Sequence, residues 1–512
     1  MRRALVVRLG PRARGGARMV LRTQDGQFFF QACKLFAEFE HSLVLLRQVP
    51  LQMGVAFFEP GQSVGVGHGT IASGPPVEGE DIFPRLAFFP SLRYSGSSMK
   101  RFVLLLFLFA AACGLSFADA SASDSRSALL ILISIDGFRW DYLQKYPAPV
   151  LRRLAAEGVH ARRLIPSFPS KTFPNHYTLV TGLYPEHHGI VGNTFFDPES
   201  RETFAVNKPE TTRAAHWWSG GEPVWITAEK QGLRTACYFW PGSDAEIQGR
   251  RPSFFLPYDI ERSSAARVDG LLAWLDLPPG QRPRFCTLYL DEVDRAGHAH
   301  GPEAPETAGA VRQVDDAMAR LVAGLEARGL RDKTDLVIVS DHGMAAAGPD
   351  RVVFIEDLMD ASAVEVEATG PVGGVRPKSG EAAALVASIR AKHPAHVQVY
   401  LREEVPEQLH YRASNRIPAV VLIADEHWNI ESKAGLPWPM RTLTYNRGTH
   451  GWDPAVADMG ALFIAHGPSF KEAHEFAEVE NIQVYNLLCA ALGLRPAPND
   501  GDDRLVREAL RR

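Results

Sequence analysis

The feature that most constrains this chain is a set of short apolar runs, each followed closely by an aspartate. Leu129–Ile135 reads Leu-Leu-Ile-Leu-Ile-Ser-Ile and runs straight into Asp136. Phe285–Leu290 precedes Asp294, and Leu336–Val339 precedes Asp341. Continuous apolar runs of this length predict strands buried on both faces, the kind found in parallel sheets covered by helices. Ala461–Ala465 has the same character. Between two of the runs, Val311, Val314, Met318, Leu321 and Leu325 recur at spacings of three and four. That is one face of an amphipathic helix, closed by Gly329. The expected fold is α/β, a mostly parallel central sheet flanked by helices. In such sheets the carboxyl ends of the strands converge on one crevice, so the three carboxylates are expected to meet there.

The alternation breaks between His342 and His450. Residues 345–445 carry a pattern of their own: Val352–Ile355, a helix near Glu381–Lys392, Val397–Leu401 and Ala419–Ile423, with Gly370–Gly374 read as a loop. This is expected to be a small inserted α+β subdomain over the site.

The beginning of the chain calls for a separate reading. Met99-Lys100-Arg101, the apolar stretch Phe102 to Ala112 and the Ala118-Asp119-Ala120 site have the three parts of a secretory signal peptide, 99–120. The apolar stretch is shorter than the roughly 20 residues a spanning helix needs, so no transmembrane helix is expected in the mature chain. Export, to a periplasm, follows, with lipid attachment at Cys113 as the lesser alternative. Residues 1–98 precede this signal and read as lying outside the mature protein, through a start assigned too early. The rival is a small domain of their own. The mature part is then 121–512. It holds three cysteines, Cys237, Cys286 and Cys489. That count is no disulfide scaffold, and buried free thiols are expected. With a net charge of −4, the chain has no basic field for a nucleic-acid polymer.

The candidate ligands are Asp136, Asp294, His298, Asp341, His342 and His450: three carboxylates and three imidazoles, without cysteine. Such a nitrogen and oxygen set suits Zn²⁺, and six ligands provide for two ions with positions left for substrate and water. Each piece alone has an ordinary explanation, an Asp-His hydrogen bond or a helical i,i+4 pair. Thr172, in Ser170-Lys171-Thr172-Phe173-Pro174, lies where a helix should begin, because Pro174 suits a first turn. There it is either a helix cap or a nucleophile activated by a metal. His187, His188, His300 and Lys171 are expected outside the ligand shell, and Trp217 and Trp218 are expected to pack.

Taken in order, Asp136, the stretch from Lys171 through Gly192-Asn193, Asp294–His298, Ser340-Asp341-His342-Gly343 and Thr449-His450-Gly451 resemble the nucleotide pyrophosphatase/phosphodiesterase family of the alkaline-phosphatase superfamily, in its bacterial single-domain type. The resemblance covers about 129 onward to the C-terminus. It implies an alkaline-phosphatase-like fold and two Zn²⁺, one held by Asp294, His298 and His450, the other by Asp136, Asp341 and His342 together with Thr172. It further implies that Thr172 attacks phosphorus, forming a covalent phosphothreonine whose hydrolysis releases a nucleoside 5′-monophosphate. Asn193 and the N–H groups of the helix N-terminus would hold the phosphoryl oxygens, and Phe173 and Tyr258 would sandwich the base of a small nucleotide substrate. The alternatives are a phosphomonoesterase or lysophospholipid-type phosphodiesterase on the same scaffold, or a non-catalytic periplasmic zinc or nucleotide binder.

Overall fold

The computed structural model describes residues 129–435 and 437–511. The upstream 98 residues, the signal-type stretch 99–120 and Cys113 lie outside the described residues.

The apolar runs are strands of one eight-stranded sheet. Its members are β1 (Leu129–Ile135), β2 (Val159–Ile165), β3 (Thr235–Tyr238), β4 (Phe254–Leu256), β5 (Phe285–Leu290), β6 (Thr334–Val339), β7 (Ala461–His466) and β8 (His474–Glu480). They lie in the order β8-β2-β7-β6-β1-β5-β3-β4. β1 is central, parallel to β5 on one side and β6 on the other. All seven of its residues are buried. Because side chains alternate across a sheet, Leu130 and Leu132 join the core on one face, and Ile131, Ile133 and Ile135 the core on the other.

Two helices carry site residues, α2 (Thr172–Thr181) and α3 (Glu292–His300), while α1 (Pro149–Glu157) and α4 (Pro305–Glu326) pack in the core beside the sheet. The apolar stripe of α4 lies in the same core as the β1 isoleucines. Gly329 has a left-handed φ of 62°. Around it Leu330 N–H donates to Leu325 O and Gly329 N–H to Glu326 O, both at 2.9 Å, which is the double bond of a Schellman ending.

One strand runs against expectation. β7 is antiparallel to both neighbours, β6 and β2, while every other pairing in the sheet is parallel. Its beginning, not its end, therefore lies beside the carboxyl end of β6, and His450 arrives from the segment that precedes it.

The segment between His342 and His450 holds a four-stranded antiparallel sheet with strands 364–368, 372–377, 420–424 and 397–401 in that spatial order. Helix Ala382–Arg390 packs into its separate core. The reading of Gly370–Gly374 as a loop is corrected here, since Val372–Pro377 is a strand. Gly373 and Gly374 are there for space: a Cβ would stand 3.0 Å from the Ile430 side chain at the first and 2.2 Å from Pro418 at the second. Cys237, Cys286 and Cys489 are free and buried.

Candidate active site

Asp136 leaves the end of β1, Asp341 the end of β6, and Asp294 sits in the first turn of α3 just after β5. Gly137, at φ +69°, makes their approach feasible: a Cβ there would stand 2.8 Å from Asp294 Cα. At Gly343 a Cβ would stand 2.1 Å from Asp458 O, so β7 and the turn after β6 could not close with a larger residue.

The six predicted ligands form one cluster. His298 Nε2 and His450 Nε2 are 3.2 Å apart, and each is close to Asp294 Oδ1, at 3.4 and 3.6 Å. His342 Nε2 is 2.9 Å from Asp341 Oδ2 and 3.5 Å from Asp136 Oδ1. The His342 and His450 rings stack at 3.5 Å, so the two halves adjoin.

The hydrogen bonds of the imidazoles decide what this cluster can do. His298 Nδ1 lies 2.8 Å from Gly448 O, His450 Nδ1 2.8 Å from Ser170 O, and His342 Nδ1 2.9 Å from Gly343 O. A carbonyl can only accept, so each Nδ1 carries the proton and each Nε2 turns a lone pair inward. Three buried carboxylate oxygens, Asp136 Oδ1, Asp294 Oδ1 and Asp341 Oδ2, have no hydrogen-bond partner. Acceptors at 2.9–3.6 Å from one another repel unless cations lie among them, so the donor set fits a metal group. The charges are uneven across the cluster: despite burial, the Asp341 carboxyl is held well below the usual range by the His342 and His176 imidazoles, and Asp341 in turn raises the His342 imidazole. Burial and the neighbouring Asp341 and Asp294 carboxylates hold the Asp136 carboxyl well above the usual range. Burial and the neighbouring His342 and His298 rings hold the His450 imidazole well below its own.

Thr172 is the first residue of α2, whose N-cap is Lys171. Its Oγ1 does not cap the helix but lies 3.3 Å from His342 Nε2. The first-turn amide is capped by Asn193 instead, whose Oδ1 accepts from Phe173 N–H at 3.0 Å. Asn193 also lines the cavity shared with Thr172. The bond to Phe173 N–H alters the expected role of the helix end. Phe173 N–H is engaged, Pro174 has none, and Asn175 N–H enters the helical ladder at Lys171 O, which leaves Thr172's own N–H.

The cavity at Thr172 has a volume of about 320 Å³, and Asp136, Asp294, Phe173 and Tyr258 are among its walls. Phe173 is backed by Phe204 and Trp218, with ring centroids at 5.8 and 6.2 Å, and both Trp217 and Trp218 are buried as packing residues. Tyr258 is 46% exposed, yet it is tethered: its hydroxyl donates to Asp291 Oδ2 at 2.5 Å. Asp291 is in turn paired at 2.9 Å with the fully buried Arg267, which lies 5.8 Å from the Tyr258 ring. The sequence reading passed over Asp291, although it opens the stretch that carries Asp294 and His298, and Arg267 lies in no motif.

It also missed His176. This fully buried imidazole has Nδ1 2.9 Å from Thr172 O, 3.3 Å from Asp341 Oδ2, and Nε2 2.8 Å from Ser134 Oγ. With both nitrogens engaged it supports the turn at Thr172 and Asp341 rather than offering a lone pair. Its place at i+4 from Thr172 was the available signal.

The residues set aside stay outside the shell. His300 is exposed, His187 pairs with Asp500 at 2.7 Å, and Lys171 lines a different small cavity with Glu367. Burial pushes the Lys171 ammonium down to about 8. His188 is enclosed, near the Thr178 hydroxyl at 3.0 Å and accepting from Ile190 N–H. Burial, with smaller help from His187 and Arg416, pushes its imidazole down to about 3. In the unfolded chain it protonates near 6.5, so its contribution is fully present above pH 6.5 and is lost as pH falls from there toward 3. Between pH 8 and pH 5 this should remove roughly 2 kcal/mol of stability. Urea denaturation at the two pH values should show that loss shrinking in His188→Gln.

Residues 130–453 match the family described as type I phosphodiesterase / nucleotide pyrophosphatase. A venom phosphodiesterase of Crotalus durissus collilineatus is 38% identical over 395 residues, covering 75% of this chain and 46% of the venom protein. Ectonucleotide pyrophosphatase/phosphodiesterase family member 3 of Mus musculus is 38% identical, over 75% of this chain and 44% of its own length. The chain thus spans somewhat less than half of these relatives. It matches 79% of an uncharacterised pyrophosphatase/phosphodiesterase of Schizosaccharomyces pombe at 38% identity, over 73% of this chain. Among solved structures, murine ectonucleotide pyrophosphatase/phosphodiesterase 5, an inactive threonine-to-alanine variant in complex with AMP, is similar with a TM-score of 0.70. That match has 32% identity and covers 75% of this chain and 100% of that one.

Proposed function

The chain belongs to the type I phosphodiesterase / nucleotide pyrophosphatase family, and from that premise we propose that it hydrolyses phosphodiester and pyrophosphate bonds of small nucleotides, releasing nucleoside 5′-monophosphates. The observation that carries this reading is Thr172 Oγ1 lying 3.3 Å from His342 Nε2 at the head of an aromatic-walled cavity.

In this reading Asp294, His298 and His450 hold one Zn²⁺, and Asp136, Asp341, His342 and Thr172 the other. Bound zinc supplies Lewis-acid neutralisation of the attacking and departing oxygens. The chain's own groups do the rest. Thr172 Oγ, its proton given up to solvent, forms a bond to phosphorus as the bond to the departing alcohol or phosphate breaks, giving a phosphothreonine. Water then cleaves that ester and regenerates the hydroxyl. Asn193 Nδ2 donates to a non-bridging oxygen as its charge grows, and the Thr172 N–H is placed to add a second donor. Phe173 and Tyr258 stack on the base, Tyr258 held by Asp291. His176 keeps the first turn of α2 fixed, so that Thr172 does not have to be ordered in the transition state.

Two findings from relatives support the reading: an inactive threonine-to-alanine relative binds AMP, and another is a venom phosphodiesterase. Export through the 99–120 signal to a periplasm belongs to the same proposal. Among the described residues no helix is long and apolar enough to cross a membrane. The test is a comparison of bis-p-nitrophenyl phosphate with p-nitrophenyl phosphate on the metal-loaded protein. Diester turnover should be the faster, and faster monoester turnover would favour the phosphomonoesterase alternative.

A further inference from the structure

Tyr289, on β5, is a buried side chain that takes no part in the chemistry proposed above. Its backbone is in register with Ser134 of β1, and Asp136 lies two residues past Ser134, on the same face of that chain. The Tyr289 hydroxyl reaches along the sheet to Asp136 and donates to its Oδ2 at 2.5 Å. Its ring packs edge-on against His176, with centroids 5.2 Å apart, and Tyr289 is also a wall of the cavity at Thr172. Resting on the two-metal reading above, we propose that Tyr289 is a positioning residue for the metal centre. Its hydroxyl confines Asp136 to a single ligating oxygen, and so sets the preference of the centre for zinc over divalent ions that take more oxygen ligands.

The first argument is how the carboxylates are divided. The two oxygens of an ionised carboxylate are equivalent until a donor tells them apart. At Asp136 the Tyr289 hydroxyl holds Oδ2. Oδ1, which has no hydrogen-bond partner, is the oxygen 3.5 Å from His342 Nε2. Asp341 is divided in the same way. Its Oδ1 accepts from Gly137 N–H at 3.2 Å, and its Oδ2, without a partner, is the oxygen 2.9 Å from His342 Nε2. On both, the oxygen left without a donor is the one beside the imidazole.

The second argument is what the hydroxyl alone adds. A phenylalanine would keep the ring against His176 and would leave Asp136 Oδ2 a buried acceptor with nothing to accept from, which is costly. Sharing the cation with Oδ1 is the remedy within that oxygen's reach. A carboxylate that binds through both oxygens suits Mn²⁺, a hard ion at home among six oxygen ligands, better than Zn²⁺, which favours four ligands. The tyrosine hydroxyl closes that option by giving Oδ2 a proton to accept.

The test removes zinc and manganese from the unmutated protein and from Tyr289→Phe with a competing chelator. The variant should hold zinc about tenfold more weakly, the scale expected when a group that orients a metal ligand is lost, and should hold manganese as well as before or better. For the zinc form, kcat on a nucleotide diester should fall about tenfold with KM unchanged, because the ring still lines the cavity. Tyr258→Phe removes a hydroxyl that donates to Asp291 rather than Asp136, and should leave both metal affinities where they were. Should Tyr289→Phe not fold, Tyr289→Met carries the same comparison, since methionine fills irregular space without a hydroxyl. Equal weakening of zinc and manganese would mean that the hydroxyl supports the fold and nothing more, and would overturn the proposal. An unchanged zinc affinity, or a change confined to KM, would overturn it as well. If the unmutated protein takes up no zinc, it is the two-metal reading that fails.

Discussion

Replacing Thr172 with alanine will lower turnover of a nucleotide diester by about 10⁴-fold or more, the scale expected when a group acting as nucleophile is removed. Metal content and Tm will stay near those of the unmutated protein. The geometry separates these effects. Thr172 Oγ1 makes its contact with His342, and the helix it begins is capped by Asn193 rather than by its own hydroxyl, so α2 loses little when the side chain is shortened. Residual turnover should come from Asn193 and from binding in the cavity, which remain. Steady-state kinetics, metal analysis and thermal denaturation on one preparation test all three statements. Turnover within tenfold of the unmutated rate would remove Thr172 from the chemistry.

Stripping divalent metal with a chelator will abolish turnover and lower Tm by roughly 10 °C, if each of two ions is held at about a thousand times its dissociation constant and the domain unfolds as a unit. The reason is the cluster itself. Without cations, Asp136 Oδ1, Asp294 Oδ1 and Asp341 Oδ2 are buried acceptors with nothing to accept from, and the Nε2 lone pairs of His298 and His450 face one another at 3.2 Å. Zinc should restore both properties. Magnesium should not, because half of the ligands are imidazole nitrogens. An unchanged Tm after verified metal loss would mean that the cluster is held by protein contacts alone.

The sequence exposes the parts of this molecule that depend on local chemistry. Leu129–Ile135 followed by Asp136 reads as a buried strand ending in a carboxylate because apolar period and residue type alone say so. Strand direction is not written in that way. Ala461–His466 has the same composition as β1 and β6, but it runs opposite to β6, and only the pairing of Phe463 with Val339 reveals it. Val364–Ala368, with its Val-Glu-Val-Glu alternation, was readable as a half-exposed strand and was overlooked. Val372–Pro377 was hidden because its two glycines look like a turn, whereas they admit Ile430 and Pro418. Long-range tethers such as Arg267 to Asp291 to Tyr258 leave no trace in spacing. Thr172 is the middle case: the chain position of a helix start was legible, and the contact that sets its hydroxyl apart from a cap is to a histidine 170 residues away.

The two stems of the inserted segment are tied together at its base. Ala345–Ala346 pairs with Gly448–Thr449 in a short antiparallel ladder, just beside the stacked rings of His342 and His450. The segment between those stems is also packed into the main core through Tyr411, Ile417 and Val421, and the Tyr411 hydroxyl donates to Val191 O at 2.9 Å. The closure entropy of a flexible loop grows only by about 0.6 kcal/mol for each doubling of length, so closing a segment of another size at the same four residues is cheap, and the cost of an exchange lies in those packing contacts. An exchange of this segment would therefore be felt at the turn that carries Asn193, two residues after Val191.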